Sequence, residues 1–413
     1  MIKVDNSHLK QIKEYTVSSA ELTAIECFQS EHQHLPMFQL QQNLEKVLEF
    51  QSLSSVVKNR FTDIVLLGTG GSSLGAQLLC KFSRLEDNIR IHFFDNIDPL
   101  TFKHFWVKNR LETTLFLVIS KSGTTPETLT QAIICVSRMI DKVGISKIAD
   151  HFIVLTEPKI SPLTKLASHY KFLCIDHDPG IGGRFSGLSL VGLLPAMLMG
   201  VPIERVIDGA NTTLSGFLKN AKAHPITESA VLMNQICETK NINQTVLMTY
   251  VDQLEPLGRW FRQLWAESLG KKGLGTTPLN ATGTIDQHSQ LQLYLDGPKD
   301  KLFTIITHPL NWEGDSVDKR IADSIGFNFM GGQTIGRLMG AEQAATIKVL
   351  QQNNCPTRVI SLKEVSPEVI GALMMHFMIE TILTANIIGV NCFDQPAVEQ
   401  GKVLTRTILE QKL

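Results

Sequence analysis

The chain has 413 residues, 43% of them hydrophobic and 19% charged, with a formal net charge of −1. That length implies two or three domains around a large buried core. The near-neutral balance and the 7% aromatic content exclude the strong basic field that non-specific nucleic-acid binding requires.

The first stretch, "MIKVDNSHLKQIKEY", is too polar for a signal peptide. Residues 1–58 read as mainly helical, with Leu40, Leu44, Val47 and Leu48 at helical spacing. A βα alternation follows: "DIVLLG" (63–68) as a strand, the Gly-rich "GTGGSSLG", the helix "AQLLCKF", then strands "IRIHFFD", "TLFLVIS", "HFIVLT" and "KFLCID". "LSLVGLLPAMLMGVPI" (188–203) is uncharged but broken by Pro195 and too short to span a bilayer, so it reads as a buried helix. After helical sequence around 190–240, strand-like runs return at "QTVLMTY", "LQLYL", "KLFTIIT" and "TRVISL", with helices over 257–270, 335–353 and 366–388. Strands alternating with helices predict an α/β fold with mainly parallel sheets covered on both faces, in two sandwich domains divided between 200 and 230. Ligands of such sheets bind at the carboxyl ends of the strands. Seven cysteines without a CxxC pair fit reduced, mostly buried thiols rather than disulfides or a zinc site. A soluble, cytoplasmic protein with no membrane segment is expected.

Several stretches have chemical potential. In "GTGGSSLG" the glycines permit close backbone approach at a helix start. A dinucleotide fingerprint would need glycine at Ser73, although Asp95 ends the next strand where a ribose-binding acid would lie. "VISKSGTTPETLTQ" (118–131) offers cap residues in Thr124 or Thr125, Pro126 for the first turn and Glu127 for the dipole end. Its helix should bury Leu129, Ile133, Val136 and Ile140. Capping does not account for Ser120, Lys121, Ser122, Thr125 and Thr128 together. Hydroxyls and a lysine around a helix N-terminus suit a phosphate, and without a Walker pattern the phosphate belongs to a small metabolite. Arg184, in "GIGGRFSGLS", reads either as a surface charge or as a cation held in backbone to meet an oxyanion. In "GRWFRQLWAESLGKKG" the stripe Leu257, Trp260, Phe261, Leu264 and Trp265 should be buried. Gln263 and Glu267 share a neighbouring face, and a Glu267–Lys271 pair on solvent is the plain account of that glutamate. His288 and Lys402 are unremarkable when read alone.

Together these segments resemble the glucose-6-phosphate isomerase (phosphoglucose isomerase) family. "GIGGRFSGLSLVG" and "ANIIGVNCFDQPAVEQGK" match its two signature blocks, and "SKSGTTPET", "RQLWAESLGK" and "GTIDQHSQ" complete the family's set of ordered motifs. The resemblance implies two SIS-type αβα sandwich domains: a helical segment over 1–58 packing on the larger domain, a first, smaller domain over 59–215, and a second, larger one over 216–413 with C-terminal helices. It implies reversible aldose–ketose isomerisation of glucose 6-phosphate and fructose 6-phosphate, an intramolecular oxidoreduction without metal or organic cofactor. By motif position, Glu267 falls on the catalytic base, Arg184 on the arginine beside the reacting carbons, and His288 and Lys402 on the ring-opening residues. Ser120, Lys121, Ser122, Thr125 and Thr128 fall on the phosphate pocket, with Gly70, Gly71, Ser72, Gly183, Gln263 and Gln395 as further substrate contacts. A homodimer with His288 donated across the interface is implied too. The chain is short for the family, with about sixty residues before the first βα block, so dimer contacts from terminal extensions are in question. Other readings are an isomerase that also accepts mannose 6-phosphate, a non-catalytic sugar-phosphate sensor and a nicotinamide dehydrogenase.

Overall fold

Ten strands form two five-stranded sheets in the structure, a computed structural model that describes residues 1–83, 89–309 and 313–411. The first sheet comprises β2 (Asp63–Leu67), β3 (Arg90–Phe94), β4 (Thr114–Ile119), β5 (Phe152–Thr156) and β6 (Leu173–Asp176). Its order is β3-β2-β4-β5-β6 and every pair is parallel. The second sheet contains β1 (Ile2–Asp5), β7 (Gln244–Thr249), β8 (Thr277–Thr282), β9 (Lys301–Thr307) and β10 (Thr357–Leu362), in the order β1-β10-β9-β7-β8. It is parallel except for β1, an antiparallel edge on β10.

The apolar runs of the central strands are continuous because both of their faces are covered. Val65 and Leu67 of β2, with Phe116 and Val118 of β4, pack under one helical layer. Ile64 and Leu66, with Leu115, Leu117 and Ile119, pack into a larger cluster on the other face. That cluster also receives Leu247 of β7 and Leu302 and Ile306 of β9, so one helical layer lies between the two sheets. The helices α1 (Leu40–Leu48), α2 (Leu74–Cys80), α4 (Leu190–Leu198), α5 (Ile203–Lys219), α6 (Pro225–Lys240), α7 (Glu255–Leu269) and α9 (Pro367–Ile387) contribute to it. Outside the first sheet lies α3 (Pro126–Val143), and outside the second, α8 (Leu291–Asp296). The expected domain division at 215/216 falls inside α5, whose Val206, Ile207, Ala210 and Leu214 belong to the shared layer.

Some elements depart from the sequence expectations. "LQLYL" is α8, not a strand: Tyr294 and Leu295 pack toward Phe303 of β9, and β8 takes the sheet position beside β7. In α3 the buried face is Thr128, Gln131, Ala132, Cys135, Val136 and Met139, while Ile133 is 56% exposed. The whole stripe Leu257, Trp260, Phe261, Leu264 and Trp265 of α7 is buried as expected. The strands β1 and β8 carry no apolar run long enough to announce them. All seven cysteines are free, with Cys80, Cys135, Cys355 and Cys392 buried.

By length and composition α9 could cross a membrane, but 89% of its most apolar window is buried inside the protein. It also carries Glu380, fully buried and paired with both terminal nitrogens of Arg358 from β10. The Arg358 Nε donates to Thr304 Oγ1 of β9 at 2.8 Å. Removing one partner of a desolvated pair strands the other charge. Glu380→Ala should therefore cost about 3–5 kcal/mol in urea unfolding, and the double change Arg358→Met, Glu380→Leu far less. Equal losses for the two proteins would mean the charge itself is not what the core depends on.

Candidate active site

In the first sheet the chain moves from β2 to β3 on one side and returns to β4 on the other, so the topological switch point lies between β2 and β4. Ligands bind at such a point, beyond the carboxyl ends of the strands. The two loops singled out in the sequence, Gly68–Ser73 after β2 and Ser120–Thr125 after β4, flank it.

The glycine-rich loop is pressed against "GIGGRFSGLS" backbone to backbone. A Cβ on Gly71 would lie 2.3 Å from the Gly183 carbonyl, and one on Gly75 would lie 2.6 Å from the Gly187 Cα. Those approaches allow no side chain, which accounts for the glycines without a dinucleotide. The Ser186 hydroxyl donates to the carbonyls of Gly183 (2.7 Å) and Gly71 (3.3 Å), tying the loops together. Gly70 faces Gln263, whose Nε2 would stand 2.8 Å from a Cβ there. Ser72 is half-buried in the same loop. Ser73 accepts from Gln77, and Gln77 also donates to Asp95 at 2.7 Å, so the acid a ribose would need is engaged inside the protein.

This packing carries Arg184 into the interior, where it is only 4% exposed. Its Nε donates to Ser268 Oγ (2.9 Å). Nη1 donates to Glu267 Oε2 (3.2 Å) and Gln395 Oε1 (2.8 Å), and Nη2 to the carbonyls of Asp394 (2.9 Å) and Cys392. Burial draws the guanidinium below its ordinary pKa, and Glu267 opposes that shift. The other carboxylate oxygen of Glu267 accepts from Gln263 Nε2 at 2.9 Å, a partner one turn back on α7. Glu267 is thus oriented from two sides, yet its side chain is 33% exposed, open to a ligand. Beside Arg184, Cys392 has its thiol pushed up to about 12, chiefly by burial, so it is no nucleophile at neutral pH.

The structure separates Glu267 from Lys271, the pairing expected on a solvent face. Lys271 Nζ instead donates to the main-chain carbonyls of Glu267, Ser268 and Asn391 and pairs with Asp394. Ser268, Lys271 and the carbonyls of Cys392 and Asp394 had no local signal in the sequence. Their importance comes from contacts more than eighty residues away in the chain.

In the second loop Thr125 stands at the N-cap of α3, but no side-chain cap bond forms. Its hydroxyl meets Ser120 Oγ at 3.0 Å, so the expected capping is absent. Ser122 accepts from the amide and hydroxyl of Thr124. Gly123 turns the chain at φ +64°, and a Cβ there would strike Ser161. Thr128 Oγ1 is buried in the first turn of α3 with no hydrogen-bond partner in the protein. Lys121 Nζ donates to the Pro179 carbonyl at 2.9 Å and lies 3.6 Å from Glu157. An uncapped helix start, hydroxyls and an ammonium suit an anion.

The structure does not bring His288 and Lys402 into this array. His288 is exposed on the five-residue helix Ile285–Ser289. Lys402 lies on α10 (Glu399–Glu410), paired with Glu399 at 2.7 Å. Among the described residues one group could hold a metal ion, Cys27, Glu31 and His32, and none of these bonds Glu267, Arg184 or Gln263.

Near the Lys121 loop, His177 is buried and its Nε2 donates to the Ile181 carbonyl at 3.3 Å. Burial first, then the Lys121 charge, lowers its pKa to about 4. The folded state therefore binds fewer protons than the unfolded one between about pH 6.5 and 4. Stability from this group is complete above that window and falls by at most about 3 kcal/mol as pH drops through it. Unfolding at pH 7 and pH 4.5 should differ less for His177→Asn than for the parent chain. An unchanged difference would remove His177 from the account.

The model of the family described as phosphoglucose isomerase matches residues 37–413. The chain is 36% identical over 352 residues to a glucose-6-phosphate isomerase of Rubrobacter xylanophilus, spanning 83% of this chain and 82% of that one. Among solved structures, a hypothetical protein from Thermus thermophilus aligns over 99% of this chain and 100% of its own, with TM-score 0.86 and 29% identity. A glucose-6-phosphate isomerase from Chlamydia trachomatis shares the fold at TM-score 0.76 and 22% identity, over 98% of this chain and 78% of its own.

Proposed function

The chain belongs to the phosphoglucose isomerase family, and from that premise we propose that it interconverts glucose 6-phosphate and fructose 6-phosphate through an enediolate. The observation that carries this reading is the array of Glu267, Arg184 and Gln263 beside the switch-point loops. Isomerisation moves one proton between adjacent carbons, C1 and C2, so a single carboxylate can remove and return it. Glu267 is the base: held from two sides, it keeps an exposed edge for the substrate. Negative charge then develops on an oxygen of the enediolate. Arg184, a cation fixed in advance by its other partners, stabilises that charge more than it stabilises the ground state.

The loop Ser120–Thr128 anchors the phosphate, using Ser120, Ser122, Thr125, Thr128 and Lys121, and Gln395 adds a contact. Gly70, Gly71, Ser72 and Gly183 shape the sugar site, and the phosphate's binding energy positions C1 and C2 at Glu267. His288 and Lys402 open the sugar ring, giving and taking a proton at the ring oxygen and the C1 hydroxyl. Both stand exposed in one chain, which supports a homodimer in which His288 reaches the partner's site. The uncovered apolar side chains of α10, among them Val403, Leu404, Ile408 and Leu409, support association as well. The protein works in the cytoplasm in this reading, with 59–215 and 216–413 as its two SIS-type units and 1–58 packed on the second.

The decisive measurement is exchange of the C2 proton with solvent. Glu267→Gln should reduce turnover and exchange by at least about 10²–10⁴-fold. Binding of a sugar-phosphate inhibitor should persist, because the anchoring loop is untouched. Loss of both together would reassign Glu267 to a structural role.

Mixing tests the shared site. Glu267→Gln and His288→Ala chains, each inactive alone, should on exchange of subunits recover about a quarter of parental activity, since half the dimers would hold one intact site. No recovery in verified mixed dimers would place His288 in the site of its own chain.

A further inference from the structure

The loop Asn391–Gln395 supplies three of the acceptors of Arg184: the carbonyls of Cys392 and Asp394 and the side chain of Gln395. Cys392 is buried and the Phe393 ring rests against His32 and Phe185, but Asn391, Asp394 and Gln395 are exposed, so apolar packing does not by itself fix the polar groups that meet Arg184. It also leads directly through the short turn Pro396–Val398 into α10, the helix that carries Lys402. Something must fix it, because a guanidinium is only as well oriented as its acceptors.

The geometry points to Lys271 as the positioning residue for this loop, a role that rests on the isomerase reading above. Lys271 follows the last turn of α7, and its side chain is 13% exposed. Nζ donates to the carbonyls of Glu267 (2.9 Å) and Ser268 (3.0 Å), which are orphaned at the helix end. The same ammonium donates to the Asn391 carbonyl and pairs with the Asp394 carboxylate at 3.3 Å. It therefore joins the end of α7 that bears the base to both ends of the turn that holds Arg184. Asn391 Oδ1 accepts from the Phe393 amide at 2.9 Å and keeps that turn closed. Lys271 bonds neither the Glu267 carboxylate nor Arg184. It acts through the loop, setting where the cation stands relative to the base, while the main phosphate anchor proposed above, the loop after β4, lies on a separate segment and leaves only the Gln395 contact within its reach.

Lys271→Met tests this by steady-state kinetics on fructose 6-phosphate, with amide hydrogen exchange read at residues 392–395. Displacement of Arg184 by a fraction of an ångström should lower kcat roughly ten- to a hundredfold, with KM held within about threefold. Exchange in the loop should quicken, and Lys271→Arg, which keeps a cation with several donors, should restore most of kcat. Unchanged kcat, or unchanged loop exchange in a protein with lowered kcat, would overturn the assignment. Absence of turnover in the parent chain would instead defeat the isomerase reading, while the exchange comparison would still decide whether Lys271 holds the loop.

Discussion

A buried guanidinium imposes a strict demand: it has five N–H donors, and each left unmatched in the interior costs free energy. Arg184 meets that demand with five acceptors, Ser268 Oγ, Glu267 Oε2, Gln395 Oε1 and the carbonyls of Cys392 and Asp394. Satisfying one cation thus gathers the end of α7, the turn before α10 and the "GIGGRFSG" segment, three stretches far apart in sequence, to one point. The charge could not be buried without them, and Phe185 against Phe393 and Lys271 against Asn391 and Asp394 reinforce the convergence.

The demand can be met only because backbone approaches backbone around it. Gly71 against Gly183 and Gly75 against Gly187 bring the loop after β2 into contact with the segment that carries Arg184. Side chains there would force the segments apart and pull the guanidinium away from its acceptors. The site's precision therefore resides in main-chain packing at the switch point, and the polar side chains are mounted on it. The loop after β4 follows a different logic. Its hydroxyls bond one another, Ser120 to Thr125 and Ser122 to Thr124, and leave the start of α3 uncapped. A helix start left open in this way suits an anion.

What the sequence displayed depended on how local the responsible physics is. Strands buried on both faces show as continuous apolar runs, so β2, β4, β5, β7 and β9 were legible, as was the buried stripe of α7. The half-exposed β3 and β6 were legible too, but other short or half-polar elements were not. β1 pairs only at an edge, β8 mixes Thr, Pro and Asn, and "LQLYL" fits a strand or one helical face equally until Tyr294 finds Phe303. The glutamate and lysine of "ESLGK" look like a helical ion pair at four-residue spacing. Arg184, 83 residues away, takes the carboxylate, and the lysine turns to carbonyls. Motif resemblance named Glu267, Arg184 and Gln395, which the structure brings together. Ser268 and Lys271, which hold those residues, carried no signal, because supporting contacts are written in tertiary structure.

The residues proposed for the reaction divide by their setting, and the division follows the order of chemical need. Proton transfer and enediolate stabilisation tolerate little misplacement, and Glu267 and Arg184 stand on packed segments with hydrogen bonds holding each from more than one side. Ring opening must admit a cyclic sugar and release an open one. His288 and Lys402, the residues matched to that step, stand on short or peripheral helices outside the packed layers. Holding all four groups rigidly in one chain would seal the site before the substrate entered. Carrying the groups proposed for ring opening on exposed elements leaves the rigid half complete without them.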